Sequence, residues 1–356
     1  MSELARPPAK CCMADVARLA GTSKSTVSRV LSGRGTISPT VRERVLRVVD
    51  ETGFIPDAFG QRLARARAAH APFRHNAIAV VFCVSEMGFS RFWDETYAGV
   101  MASAQDQHLS VLSVMLREEE LTRNTPPEAL ARMQFDGMLV LPMDPVPTAL
   151  RNRIGPCVLF GATTVPGTDL PSVEPDNDAG IAALVAHLTG LGHRRIEYAQ
   201  GDTKHTAFNL RWETLRRMGE TAGLTVVRAE PICGRFKEYA ERFALEGPDA
   251  RASAIVASDD HTAVNLMHAL LERGVPVPED VSVIGFDGQP IGIHSVPPLT
   301  TWRVDWRALG RMAVNVLIDQ IEGRPVASRT LAGGSLVLRQ STARPRVAKE
   351  TLVAAT

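Results

Sequence analysis

From Asn76 onward the chain alternates short apolar runs of strand length with amphipathic segments of helical length, and this alternation leaves few architectures open. The runs are AIAVVFCV (77–84), VLSVML (111–116), GMLVLP (137–142), CVLFG (157–161), AIVASD (254–259) and VSVIGFDG (281–288). A strand that is apolar on both sides must be covered on both sides, which implies parallel sheets flanked by helices. About 280 residues are too many for one such sheet, so two α/β lobes with a cleft between them are expected.

Residues 13–52 follow a different period. Met13, Val16, Ala17 and Ala20 fall on one face of a helix, Gly21 breaks it, and Ser23 can cap a second helix that buries Val27, Val30 and Leu31. GRG (33–35) reads as a loop. Ser38 followed by Pro39 opens a third helix that buries Val41, Val45, Val48 and Val49 and shows Arg42, Arg44 and Arg47 to solvent. This small all-α head is basic. Residues 1–75 hold 13 Lys or Arg against 6 Asp or Glu, a net charge of +7 within a chain of net charge +1, so the remainder carries −6. A basic module on an acidic body points to a polyanion partner.

The segment DVARLAGTSKSTVSRVLSG (15–33) reads as helix, tight turn, helix. In such a motif the first helix braces the second, whose N-terminal side chains reach base edges in the major groove. Lys24, Ser25 and Arg29 lie away from the apolar face and suit base contacts, while Thr22, Ser28 and Arg34 suit phosphates. Ser23 and Thr26, at the start of the same helix, complete the expected DNA-facing set.

Other functional classes find little support. The nine histidines are scattered, and the chain contains no HExxH, GxSxG or Walker loop and no GxGxxG after a strand, so no enzyme, cofactor or metal is expected. Asp259 and Asp260 would point oppositely on a strand, which argues against an acid/base pair. The five cysteines show no CxxC spacing, and no apolar run approaches a membrane span or a signal segment. A cytoplasmic protein with no membrane partner is expected.

Residues 13–67 closely resemble the head of the LacI family of bacterial regulators. DVARLAGTSKSTVSRVLSG, then ISPTVRERVL, then TGFIPDAFGQRLA follow that family's order and spacing. The resemblance implies base reading by Lys24 and Ser25, supported by Arg29. It also implies a hinge helix over 57–65 that forms on DNA, with Leu63 and Ala64 wedged into the minor groove. Two residues depart from the family pattern: Gly60, where alanine is usual, and Asp57, where asparagine is common.

The resemblance extends more weakly over 76–342. It is carried by DNDAGIAALVAHLTGLGHRRI (176–196), ASDDHTAVNLMHALLERGVPVPEDVSVIGFDG (257–288), PPLTTWRVDWRALGRMA (297–313) and SLVLRQST (335–342). It implies a two-lobed, periplasmic-binding-protein-like body with three chain crossings. Ligands in open α/β sheets bind beyond the carboxyl ends of strands, where Asp176, Asn177, Asp259, Asp260 and Asp287 fall. By similarity Arg211 and Asp287 contact a small-molecule effector, Asp259 takes the place of a common asparagine, and Phe92 and Phe236 offer apolar walls. Asp176 is a further candidate contact, although it and Asp260 can equally serve as helix caps. Gly288 and Thr214 replace residues common in the family.

The expected organisation is a helix-turn-helix head (1–56), a hinge and linker (57–75), an effector-binding and dimerisation body (76–342) and a tail (343–356). The expected activity is repression from a pseudo-palindromic operator, relieved by a sugar or sugar acid. The alternative is a corepressor-dependent regulator or an activator responding to a nucleobase. A homodimer is expected, with a tetramer as the alternative; the tail STARPRVAKETLVAAT lacks a leucine heptad.

Overall fold

The computed structural model describes residues 11–32, 36–54, 74–84, 92–117, 130, 132–140, 155–161, 170–201, 206–247 and 250–346. The chain divides into two units, Met1–His75 and Asn76–Thr356.

The first unit holds helices α1 (Met13–Leu19), α2 (Lys24–Ser32) and α3 (Pro39–Thr52). The periodic positions read from the sequence form its core. Val16, Ala17, Ala20, Val27, Val30, Val45 and Val48 are buried together, with Met13, Leu31, Val41 and Val49 packed at the margin. Gly21 turns the chain between α1 and α2 with φ +56°, a conformation that favours glycine. Pro39 occupies the first turn of α3, but Ser38 makes no side-chain cap bond, so only half of the expected start signal is used. The GRG loop with Arg34, and the hinge with Leu63 and Ala64, lie outside the described residues.

Among its described residues the second unit contains two six-stranded sheets. The first has the order β11-β5-β4-β3-β1-β2 and the second β12-β10-β9-β8-β6-β7. The first sheet comprises β1 (Ala77–Val84), β2 (Ser110–Arg117), β3 (Gly137–Val140), β4 (Cys157–Phe160), β5 (Ser172–Pro175) and β11 (Arg329–Ala332). Its strand pairs are all parallel. The second comprises β6 (Arg195–Ala199), β7 (Thr225–Arg228), β8 (Ala254–Ala257), β9 (Ser282–Asp287), β10 (Thr300–Val304) and β12 (Gly334–Val337). There β12 is antiparallel to β10, and the other pairs are parallel.

Helices cover the sheets: α4 (Phe92–Asp106), α5 (Asn177–Leu191), α6 (Thr206–Thr221), α7 (Phe236–Leu245), α8 (Asp260–Glu272) and α9 (Trp306–Ile321). The chain passes between the lobes three times. Strand β5 leads to α5, which packs on α6, β10 and β12; β10 leads to α9, which packs on α4 and the first sheet; β11 leads to β12. The crossings are bonded to one another. The Asp176 amide donates to the Ala332 carbonyl (2.8 Å), and the Asp305 amide donates to the Gly333 carbonyl (3.1 Å). In the first lobe α4 and α9 touch backbone to backbone, and a Cβ at Gly310 would collide with the Thr96 carbonyl.

Two strands were hidden by buried acids. In β5, Glu174 is fully buried, accepts from Ser172 Oγ (2.7 Å) and pairs with Arg329 Nε (2.8 Å). In β6, Glu197 accepts from Tyr239 (2.9 Å) and Arg242 (2.6 Å). The chain after 342 continues into the body. Ala343 exchanges hydrogen bonds with Ser282 Oγ, its carbonyl lies 3.0 Å from His193 Nε2, and Arg346 pairs with Asp280 (2.9 Å).

Candidate functional sites

The head presents one helix face built for contact. Ser23 caps α2, its hydroxyl accepting from the Thr26 amide at 3.1 Å and lying 2.7 Å from Ser25 Oγ and 2.9 Å from Thr26 Oγ1. These bonds satisfy donors at the helix start and fix its first turn. Lys24, Ser25 and Arg29 are exposed on α2, opposite the buried Val27 and Val30. Thr22, Thr26 and Ser28 are half-buried. Of the arginines on α3, Arg44 and Arg47 are exposed and Arg42 is half-buried.

In the body, the carboxyl ends of β8 and β9 converge on Arg211. This residue sits in the second turn of α6 and is only 4% exposed. Its guanidinium donates from Nε to Asn177 Oδ1 (2.9 Å), from Nη1 to the Ser258 carbonyl (2.6 Å) and from Nη2 to Asp287 Oδ1 (3.0 Å). The ring of Phe286 lies 3.8 Å beneath the guanidinium carbon, so the cation is also held against a π face. A buried charge needs this many partners, because each unmet donor would carry a desolvation cost.

Asp287 ends β9 with φ +104°, rare for a residue with a Cβ and costing of order 1–3 kcal/mol. Burial pushes its carboxyl up to about 6 despite Arg211, and the negative charge of Asp259 adds to the rise. Its carbonyl accepts from Trp306 Nε1 at 2.9 Å.

The two neighbouring aspartates divide their roles differently from the expectation. Neither lies on a strand. Asp259 caps α8, accepting from the Thr262 amide (2.9 Å), Thr262 Oγ1 (2.7 Å) and Ser258 Oγ (2.9 Å). Asp260 is therefore not the cap. It is fully buried, accepting from Thr301 Oγ1 (2.5 Å) and the Gln289 amide (2.5 Å). Burial, reinforced by the charge of Asp287, raises its carboxyl well above the usual range. Asp176 does cap α5, accepting from the Ala179 amide (2.9 Å).

Phe236 is half-buried at the start of α7 and packs on the core of the second lobe. Phe92 opens α4, and its side chain lies outside the described residues; Trp93 beside it packs edge-on against Phe82 (5.8 Å) and Phe160 (6.2 Å). Asn177 and Trp306 are both bonded into the Arg211–Asp287 group; the sequence places Asn177 among the strand-end polar residues without singling it out as an effector contact, and does not point to Trp306. Asn177 had a signal, a polar residue just past a strand end. Trp306 had none, because its partner is a backbone carbonyl. Among the described residues no group of three His, Cys, Asp or Glu is placed to hold a metal, and no helix is long and apolar enough to cross a membrane.

A helix-turn-helix head on a two-lobed, periplasmic-binding-protein-like body defines a DNA-binding transcriptional regulator with an effector domain. Residues 12–57 match the model of bacterial regulatory proteins of the lacI family, and residues 185–342 match a periplasmic binding protein-like domain. The chain is 31% identical to the HTH-type transcriptional regulator reg1 of Streptomyces lividans over 93% of its own length and 96% of the relative's. It is 30% identical to MalR of Streptomyces coelicolor over the same shares. The solved complex of the transcriptional regulator CelR with cellobiose superposes with TM-score 0.65 at 26% identity, covering 93% of this chain and 99% of that one. The lac repressor dimer bound to operator and the anti-inducer ONPF has the same fold, with TM-score 0.76 at 24% identity over 94% and 100%. The chain belongs to the LacI family of transcriptional regulators. Its relatives are regulators, and it is not an enzyme.

Proposed function

We propose that this regulator is a repressor that binds a pseudo-palindromic operator as a homodimer and is released by a neutral sugar held at Arg211 and Asp287. In this reading residues 1–56 form the DNA-binding head, 57–75 the hinge, and the chain from 76 through at least Arg346 the effector and dimerisation body. Lys24, Ser25 and Arg29 read bases, and Leu63 with Ala64 opens a minor-groove step.

The observation that carries the effector assignment is the buried Arg211–Asp287 pair at the carboxyl ends of β8 and β9. A guanidinium has five N–H donors, and three here serve Asn177, Ser258 and Asp287. What remains suits hydroxyl groups better than a ligand carboxylate, and the nearby Asp259 would repel an acid. Sugar regulation also fits the relatives: CelR is solved with cellobiose, and a ribose operon repressor of Escherichia coli is 27% identical.

A thermal-shift panel of neutral sugars, sugar acids and nucleobases tests the reading. A neutral sugar should raise the melting temperature and weaken operator binding. Stabilisation by a nucleobase or a sugar acid instead would reject the assignment. Operator affinity should also fall steeply between low and physiological salt, because bound lysines and arginines displace counterions.

A further inference from the structure

Two residues from opposite lobes hold Asp287. Arg211, on α6 of the second lobe, takes its carboxylate; Trp306, the first residue of α9 in the first lobe, takes its carbonyl. We propose that Trp306 is the positioning residue that ties the Arg211–Asp287 pair to α9 and so to the first lobe. The reading of Arg211 and Asp287 as the effector site gives this link its purpose; the link itself stands on geometry.

Three observations support it. First, Trp306 is buried, and its indole is fixed at one end by the Asp287 carbonyl, 2.9 Å away. Second, α9 continues from it as one buried stripe, Leu309, Gly310, Ala313, Val314 and Leu317, against the first lobe. The backbone contacts at Gly99 and Gly310 leave no slack between α9 and α4, so a shift of the Trp306 end moves both helices together. Third, the chain beside Trp306 is anchored. Asp305 caps α9 by accepting from the Ala308 amide (2.9 Å), and its own amide donates to Gly333 in the third crossing.

The strained Asp287 backbone is thus balanced between a side-chain partner and a main-chain partner. Anything that takes over the bond from Arg211 changes the pull on the carbonyl, and the indole N–H passes that change across the crossing. The hydrogen bond, unlike a van der Waals contact, fixes one direction at the Asp287 carbonyl. The expected signature therefore belongs to one hydrogen.

The test is amide exchange of the full chain, without ligand. Arg211→Ala should speed exchange in the first turns of α9 and in α4 about three- to tenfold more than in α7, which reports the general loss of stability. In a Trp306→Phe background, which keeps a ring and removes the N–H, the same substitution should leave no excess in those helices over α7. An equal response with and without the indole N–H overturns the proposal, as does no response in either. Should Trp306→Phe melt early, chains labelled with 5-fluorotryptophan that keep Trp306 decide the question. The Trp306 resonance must move on Arg211→Ala by more than that of Trp93, which sits within the first lobe; a smaller shift overturns the link. The sugar panel described above tests the effector reading separately, and its failure would leave the exchange result standing.

Discussion

Arg211 Nη2 lies 3.0 Å from Asp287 Oδ1 in a pair whose side chains are 4% and 13% exposed, yet the two residues are 76 positions apart in the chain. A pair this buried cannot lose one member quietly, because the partner is left charged in a poor solvent, typically at about 3–5 kcal/mol. Arg211→Ala and Asp287→Ala should each lower the melting temperature. The double variant should be less destabilised than the sum, with a coupling of about 0.5–3 kcal/mol. Below the melting range, operator affinity should stay within about threefold while the effector response is lost. Strict additivity in denaturant titrations would show that the pair is not coupled.

Asp287 gives the fold a pH dependence of predictable sign. Its carboxyl is raised to about 6 in the folded chain, so the folded state holds more protons than the unfolded state at pH values between about 4 and 6. The resulting stabilisation is fully present below the unfolded value and is lost as pH rises through the folded one. About two units correspond to at most about 3 kcal/mol. Wild type should therefore lose stability relative to Asp287→Asn between pH 4 and 7. Asp260, raised in the same direction, should show the same trend against Asp260→Asn. Denaturant midpoints at the two pH values measure both, and a parallel response of wild type and variants would remove the assignment.

The two serines that open helices in the head should behave differently. Ser23 Oγ accepts from the Thr26 amide, whereas Ser38 makes no cap bond. Ser23→Ala should cost about 1 kcal/mol of α2 stability. That appears as roughly fivefold faster amide exchange in α2 of the DNA-free protein. Ser38→Ala should be nearly silent in α3, within about 0.5 kcal/mol. Equal effects would mean that the capping bond contributes little.

Base readers and phosphate binders should separate by the breadth of their effect. Lys24 is exposed at the first position of α2, and Arg42 is half-buried on α3. Lys24→Ala should cost about 1–3 kcal/mol on the preferred operator and far less on random DNA. Arg42→Ala should weaken both alike and reduce the salt slope by about one. The reading fails for Lys24 if operator and random DNA lose affinity in equal measure.

The sequence by itself carried what depends on near neighbours. The stripe of Val16, Ala17 and Ala20, the turn at Gly21 and the cap at Ser23 all obey spacings of a few residues, and each is in place. The first strand, read as 77–84, matches β1. Arg211 and Asp287 could be named from a resemblance, but that they bond to each other could not.

Tertiary structure decided the rest. Strands β5 and β6 do not read as buried, because Glu174 and Glu197 interrupt them. Their cations, Arg329 and Arg242, stand 155 and 45 residues away and are brought in only by sheet order and helix packing. Asp259 and Asp260 are the same residue type side by side. The one beside the free amide of Thr262 became the cap, and its neighbour was turned inward to Thr301 and Gln289. Trp306 bonds to a carbonyl, a group every residue has, so nothing in the letters could single it out. Periodicity and capping are set by bonds within a few residues of the chain. The partner of a buried charge or an indole N–H is set by which strands and helices meet, and that is settled only when the whole body has folded.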